Sequence, residues 1–528
     1  MKGERLFRIL GLIDEDLIDE AAPTAAVSRR KPVWRKALAA AACLTLVCGL
    51  SLAWLVTGGF RGMGSSAPGD SSGSSSGGGS GHEEGTAFMS YAGPVFPLTL
   101  AEESEGLTAE RTITWDFAPE TLDDGSSCQW GAAVTDSYVL VNHTTEDITA
   151  VAYYPFAGSF RDLASQRPTA AVDVMEAETA LYAGSYAGGF QGVWQSDGQG
   201  GYVLDGTTLN LESPDEWTDY RALLEDGGYL ARALGDAQAL DIPVTVYEFT
   251  DFAAPADYDA ATQAIEFTID QNKTTVLTYG FSGASWDGDT GWRQYSYFVP
   301  NGQRRDTGPK LLVVLGEDIG NYTLGGYENG ACEKELAGVS CTVIRQEATL
   351  DEVLDRLCRS YLETYAEWQW SMEDGAVDAV PFALFRRAVG ELLVQHGVLA
   401  GDGGADRYST GRLDDLISEA VSQRRVLYLA VDVTVPAGSS VDITFELWKE
   451  PSYDFYCSGS ENTGLQGYDL VTALGSGLDF TAQTAALAHT DGMEIVRQNF
   501  GFDLENGVTE VALDPAEEHY YLEIRSLG

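Results

Sequence analysis

A chain of 528 residues that is 44% hydrophobic and 11% aromatic has enough apolar material for two or three globular units of about 100 to 200 residues each. Its formal net charge of -48 is unevenly spread: residues 1 to 36 hold eight bases and six acids, 37 to 60 hold no charge, and the rest holds 24 bases against 74 acids. So acidic a surface repels phosphate backbones, which excludes nucleic acid as a partner and leaves a well-solvated exterior.

The first 36 residues form a short tail whose apolar positions are Leu6, Phe7, Ile9, Leu10, Ile13, Leu17 and Ile18. Gly11 interrupts a first helix, and Asp14 can cap a second. So small a tail cannot bury these side chains alone, which points to a cytoplasmic partner helix rather than the anionic membrane surface. Arg29, Arg30, Lys31, Arg35 and Lys36 follow, and then residues 37–57 read ALAAAACLTLVCGLSLAWLVT, long enough for one transmembrane helix. The positive-inside rule places the N-terminus in the cytoplasm and the C-terminal domain outside the cell membrane. A cleaved signal peptide has a shorter head and a shorter apolar region, and Cys43 and Cys48 read as apolar residues of the span rather than lipidation sites. Residues 58–87 are a Gly/Ser-rich flexible linker.

Residues 88–348 read as a β-rich extracytoplasmic domain. Ile113, Trp115 and Phe117 alternate onto one face of a strand, and residues 136–141 and 148–154 flank the polar turn NHTTED as a predicted hairpin. Ser213, Pro214 and Glu216 signal a helix start. Strands are expected at 242–249, 265–269, 275–279, 294–299 and 310–315. Thr349 and Glu352 form a capping box ahead of Leu350, Val353, Leu354, Leu357, Tyr361 and Tyr365 at helical spacing; with 381–396 and 412–423 they make residues 349–424 a helical insert. Residues 425–528 form a C-terminal β-rich part, opening with a predicted hairpin of 426–435 and 441–448 about the turn PAGSS. The expected fold class is α+β: a membrane-anchored ectodomain of β-sandwich-like units with a helical insert, preceded by one transmembrane helix.

Chemistry-bearing patterns are sparse. Cys332 and Cys341 are spaced to close a short disulfide loop or to remain thiols, and there is no Cys-x-x-Cys pair. The five histidines are scattered, without metal-ligand spacing. Gly280-Phe-Ser282-Gly-Ala284 approaches the nucleophile elbow, but a polar Gly-rich loop stands where the elbow requires a helix. In that loop Trp286, Asp287, Asp289 and Trp292 are candidate ligand residues: the aspartates have calcium-loop spacing, and the tryptophans suit either a sugar platform or core anchoring. No phosphate loop or dinucleotide fingerprint occurs. The expectation is therefore not an enzyme, with no cofactor and no resident metal.

The Glu4-Arg-Leu-Phe start, the run from Leu12 to Glu20, the basic stretch and the span together resemble single-pass, anti-sigma-factor-like membrane proteins of clostridial Gram-positive bacteria. The resemblance covers about the first 60 residues, without the His-x-x-x-Cys-x-x-Cys zinc signature of many such regulators. It implies a tail that holds a sigma factor or similar regulator and an outer domain that senses the envelope. The alternative expectation is a non-catalytic binding module on a flexible stalk, engaging envelope glycan or protein.

Overall fold

The computed structural model describes residues 92–526, apart from 103, 119, 122–126, 129, 185–193, 197–201, 205–220, most of 222–238, 301–307, 369–376, 378, 396, 400–410, 423, 455–463 and 515. The tail, the apolar segment, the linker and the Ser213 capping box lie outside them. Among the described residues no helix is long and apolar enough to cross a membrane. They form a β-rich α+β structure of several sheets and three long helices.

The widest sheet has seven strands in the order β26 (Glu510–Ala512), β24 (Asp479–Ala488), β2 (Leu107–Asp116), β5 (Ala132–Asn142), β21 (Ser440–Lys449), β7 (Thr169–Val172) and β8 (Met175–Glu176). Along β2 the residues Leu107, Ala109, Ile113 and Trp115 point one way and are buried, as alternation demands. Two four-stranded sheets cover this face. One is β1 (Thr99–Leu100), β6 (Ile148–Gly158), β20 (Arg425–Val435) and β9 (Thr179–Ala183). The other is β22 (Tyr453–Asp454), β23 (Leu465–Val471), β27 (His519–Ser526) and β25 (Met493–Gln498). Tyr154 of β6 stacks on Phe445 of β21 across the first interface, at 4.1 Å between ring centroids. Trp115 of β2 meets Phe500 edge-on at 5.6 Å within the second.

Both predicted hairpins are instead arches between sheets. β5 pairs with β2 and β21, whereas β6 pairs with β20 and β1; likewise β20 and β21 lie in different sheets. The burial of β20 explains this: Leu427, Leu429 and Val431 fill the main core while Val426, Tyr428 and Ala430 fill another on the opposite face. A strand apolar on both faces needs a layer on each side, which an outer hairpin cannot supply. Asn142 ties the arches together, its side-chain amide donating to Glu146 O and Val435 O, both at 2.9 Å. Strands from either side of the helices therefore share both sheets.

A second pair of sheets is local in sequence. β14 (Thr274–Tyr279), β17 (Lys310–Gly316), β12 (Pro243–Ala253) and β19 (Ser340–Thr349) face β15 (Gly283–Asp287), β16 (Trp292–Phe298), β13 (Thr262–Thr268) and β18 (Tyr322–Tyr327) across an aromatic core. Two small ribbons, β3 (Glu120–Thr121) with β4 (Ser127–Cys128) and β10 (Trp194–Ser196) with β11 (Tyr202–Leu204), complete the strands.

Helices α1 (Leu350–Trp368), α2 (Phe382–Gln395) and α3 (Leu413–Ser422) cover the other face of the sheet that contains β12. The predicted box starts α1: Thr349 N–H donates to the Glu352 carboxylate at 3.0 Å, and Glu352 N–H donates to Thr349 Oγ1 at 3.2 Å. Phe385 of α2 meets Phe160 at 5.9 Å, so the helices join the local sheet pair to the larger unit through one continuous core.

Candidate functional site

The predicted ligand loop is the tip of a β-hairpin, since β15 follows Ser282 directly and pairs with β16. A strand, not a helix, succeeds the serine, so the nucleophile-elbow geometry is absent there. Asp287 Oδ1 accepts N–H groups of its own turn, from Asp289 at 2.9 Å and Thr290 at 3.3 Å. The Asp289 N–H above all holds the Asp287 carboxyl below its ordinary range. Gly291 at φ 73° closes the turn, where a Cβ would lie 2.0 Å from Ile269 O.

Trp286 pairs with Arg293 and Asp287 with Trp292. Paired residues share a face and successive residues alternate, so Trp286 and Trp292 point to opposite sides of the ribbon. They cannot form one flat platform for a sugar ring.

Cys332 and Cys341 are both free thiols. Cys332 faces Ser296, whereas Cys341 faces Tyr297, the next residue of β16. The sheet stands between the two sulfurs and keeps them apart, which leaves the free-thiol alternative of the two that their spacing allowed. Burial pushes both thiols above their ordinary pKa. Among the described residues no three His, Cys, Asp or Glu side chains are gathered to hold a metal. Leu6, Phe7, Leu10, Ile13, Leu17 and Ile18 lie outside the described residues.

The densest buried chemistry lies where the segment after the linker enters the molecule. Ala92 N–H donates to Ser452 O at 2.6 Å, Val95 bridges to Leu470 of β23, and Thr99 and Leu100 pair with β6. Residues 92–100 thus connect the two sheets that cover the seven-stranded one.

Beneath this segment, Arg111 grips both Asp136 carboxylate oxygens at 2.8 Å. It also donates to Val471 O at 2.8 Å and Phe96 O at 3.1 Å. Asp136 accepts in addition from Tyr138 Oη at 2.8 Å and Tyr154 Oη at 3.2 Å, and Leu98 N–H donates to Tyr138 Oη at 3.1 Å. Burial lowers the guanidinium pKa, but Asp136 outweighs it and holds Arg111 charged. Both side chains of the pair have 0% exposure, so the pair is tolerable only because its hydrogen bonds are made.

At the end of β21, Lys449 Nζ donates to Glu450 O at 3.0 Å and reaches Ala92 O at 3.5 Å. Lys449 is 6% exposed, and burial, with the nearby Arg424 guanidinium, lowers its pKa to about 7. Arg424 pairs with the Glu450 carboxylate. Pro94, Tyr154, Gln166, Arg424, Lys449 and Glu450 line a cavity of about 10 Å³, into which a single water fits. Gly131 at φ 109° lets the backbone run close against the end of β21, since a Cβ there would lie 2.9 Å from Lys449 O.

Arg425 is fully buried nearby over the Phe160 ring, 4.8 Å from its centroid, and burial lowers its pKa to about 10.

A near-neutral lysine is a competent nucleophile, but a substrate pocket spans about 300 to 1,000 Å³ and this cavity is far smaller. The arrangement fastens the entry segment through Lys449, Arg111 and Tyr138. Sequence reading missed it because Lys449 and Val471 lie 357 and 360 residues from their partners Ala92 and Arg111. A charged residue closing the apolar face of an alternating strand, as Lys449 follows Val441, Ile443, Phe445 and Leu447 on β21, was the available signal.

Comparison with protein-family models and with curated proteins finds no match to this chain.

Proposed function

We propose that the protein is a membrane-anchored, extracytoplasmic sensor or regulatory protein of the anti-sigma-factor-like kind, with β-sandwich-like outer units and no catalytic role. The observation that carries the reading is the attachment of the outer domain. The residues that follow the Gly/Ser linker are fastened by Arg111, Tyr138 and Lys449 at the junction of three sheets. A ligand that shifts those sheets acts on the segment leading towards the apolar stretch and the patterned tail. The tail supports the same reading, because a bare anchor has no use for Leu6, Phe7, Leu10, Ile13, Leu17 and Ile18 at helical spacing.

The test is an in-cell cross-linking pull-down from the native host, comparing the intact chain with one in which Leu10 and Leu17 are replaced by Asp. A sigma factor or other cytoplasmic regulator recovered only with the intact tail is the expected result. Identical envelope partners from both chains, with nothing cytoplasmic, would overturn it. That outcome favours a binding module displayed for reach on its Gly/Ser tether.

A further inference from the structure

β19 is an edge strand of ten residues, paired to β12 along one side only. Its sheet is covered on both faces, yet Thr342, Ile344, Arg345, Gln346 and Glu347 are all exposed, Ile344 at 46%. Among the described residues its outer edge has no backbone partner. Two neighbouring edges are treated otherwise: β14 is bridged by Arg412, and β18 by Glu335. A long open edge is a template for strand addition, and natural sheets commonly block such edges with charge.

Here the charges complement each other instead of blocking. Arg345 and Glu347 flank Gln346 with opposite signs. A second copy of β19, added antiparallel about a two-fold axis through Gln346, places each Arg345 opposite the other copy's Glu347 and each Ile344 opposite an Ala348. Both faces keep their character, because paired residues differ by an even number of positions. Shifting the axis by one residue would set Arg345 against Arg345. Arg345 is held by Asp318 of its own chain at 2.8 Å through Nη2, while its Nη1 lies a loose 3.7 Å from Glu347, which is 82% exposed and open to a partner copy. The acidity of the whole chain does not forbid the contact, since repulsion beyond about 8 Å is screened at physiological salt.

We propose that β19 is a self-association edge, through which two copies join their sheets antiparallel about Gln346. The inference is independent of the anchoring and signalling reading.

The test uses the full-length chain carrying Gln346→Cys or Thr342→Cys, oxidised mildly and run without reductant beside the unsubstituted chain. Gln346→Cys should give a covalent dimer, since the paired Cβ atoms lie about 5 Å apart. Thr342→Cys should not, because its two copies sit about 27 Å apart along the strands. Light scattering of Glu347→Arg should show dimerisation weakened about tenfold, and Arg345→Glu with Glu347→Arg should restore it. Equal cross-linking of the two cysteine variants, an unchanged mass for Glu347→Arg, or a Gln346→Cys adduct only to a different protein would each overturn the proposal.

Discussion

Replacing Lys449 by Met tests the buried amine directly. The unfolded chain holds that proton up to the ordinary value of 10.5, whereas the folded chain releases it near pH 7. Between those values unfolding takes up a proton, so this group's contribution to stability rises with pH; below about 7 its full penalty is present. The shift of 10.5 to about 7 corresponds to an upper bound of about 5 kcal/mol at acid pH, falling to about 2 at pH 9. Met keeps the length of the side chain and removes the charge, but leaves Ala92 O and Glu450 O without this donor, which offsets about 1–3 kcal/mol. Urea unfolding followed by tryptophan fluorescence at pH 6, 7, 8 and 9 should therefore show the variant gaining on the parent most at pH 6. The advantage should shrink by up to about 3 kcal/mol by pH 9. A difference between the two chains that does not change with pH would refute the reasoning.

Other perturbations follow from the same structure. Arg111→Met should destabilise by about 3–5 kcal/mol, since it strands a buried carboxylate. Arg111→Met with Asp136→Leu should cost clearly less than the two single changes together, and additive effects in a double-mutant cycle would show that the pair is not coupled. Val174 sits at φ 63° beside Asp173 at φ 47° in a two-residue turn between β7 and β8, with 96% of its surface exposed. A β-branched residue is strained there, so Val174→Gly should raise the thermal midpoint, by about 0.5–1 kcal/mol of stability; a lowered midpoint would mean that the strain is absent.

The local elements were legible in the sequence. Short runs of β-branched, aromatic and aliphatic residues marked β12, β13, β14, β16 and β17, and the run is continuous in β17 because both faces of its sheet are buried. The Thr349 and Glu352 box marked the start of α1, because its two hydrogen bonds span only three residues. Weakly patterned strands were not legible: residues 283–287 read as loop, since Gly283, Ser285 and Asp287 suit a solvent-facing hairpin as well as a turn.

Pairing and site required the tertiary structure. Residues 142–148 and 435–440 look like hairpin turns from either side, and only the layers above and below β20 make them arches. Trp286 and Trp292 look adjacent until the register sends them to opposite faces. Arg111 draws its partners from as near as Phe96 and as far as Val471, and Lys449 reaches back to Ala92. Local propensity is written within a few residues, whereas the charge state of a buried amine depends on which distant strands exclude water from it.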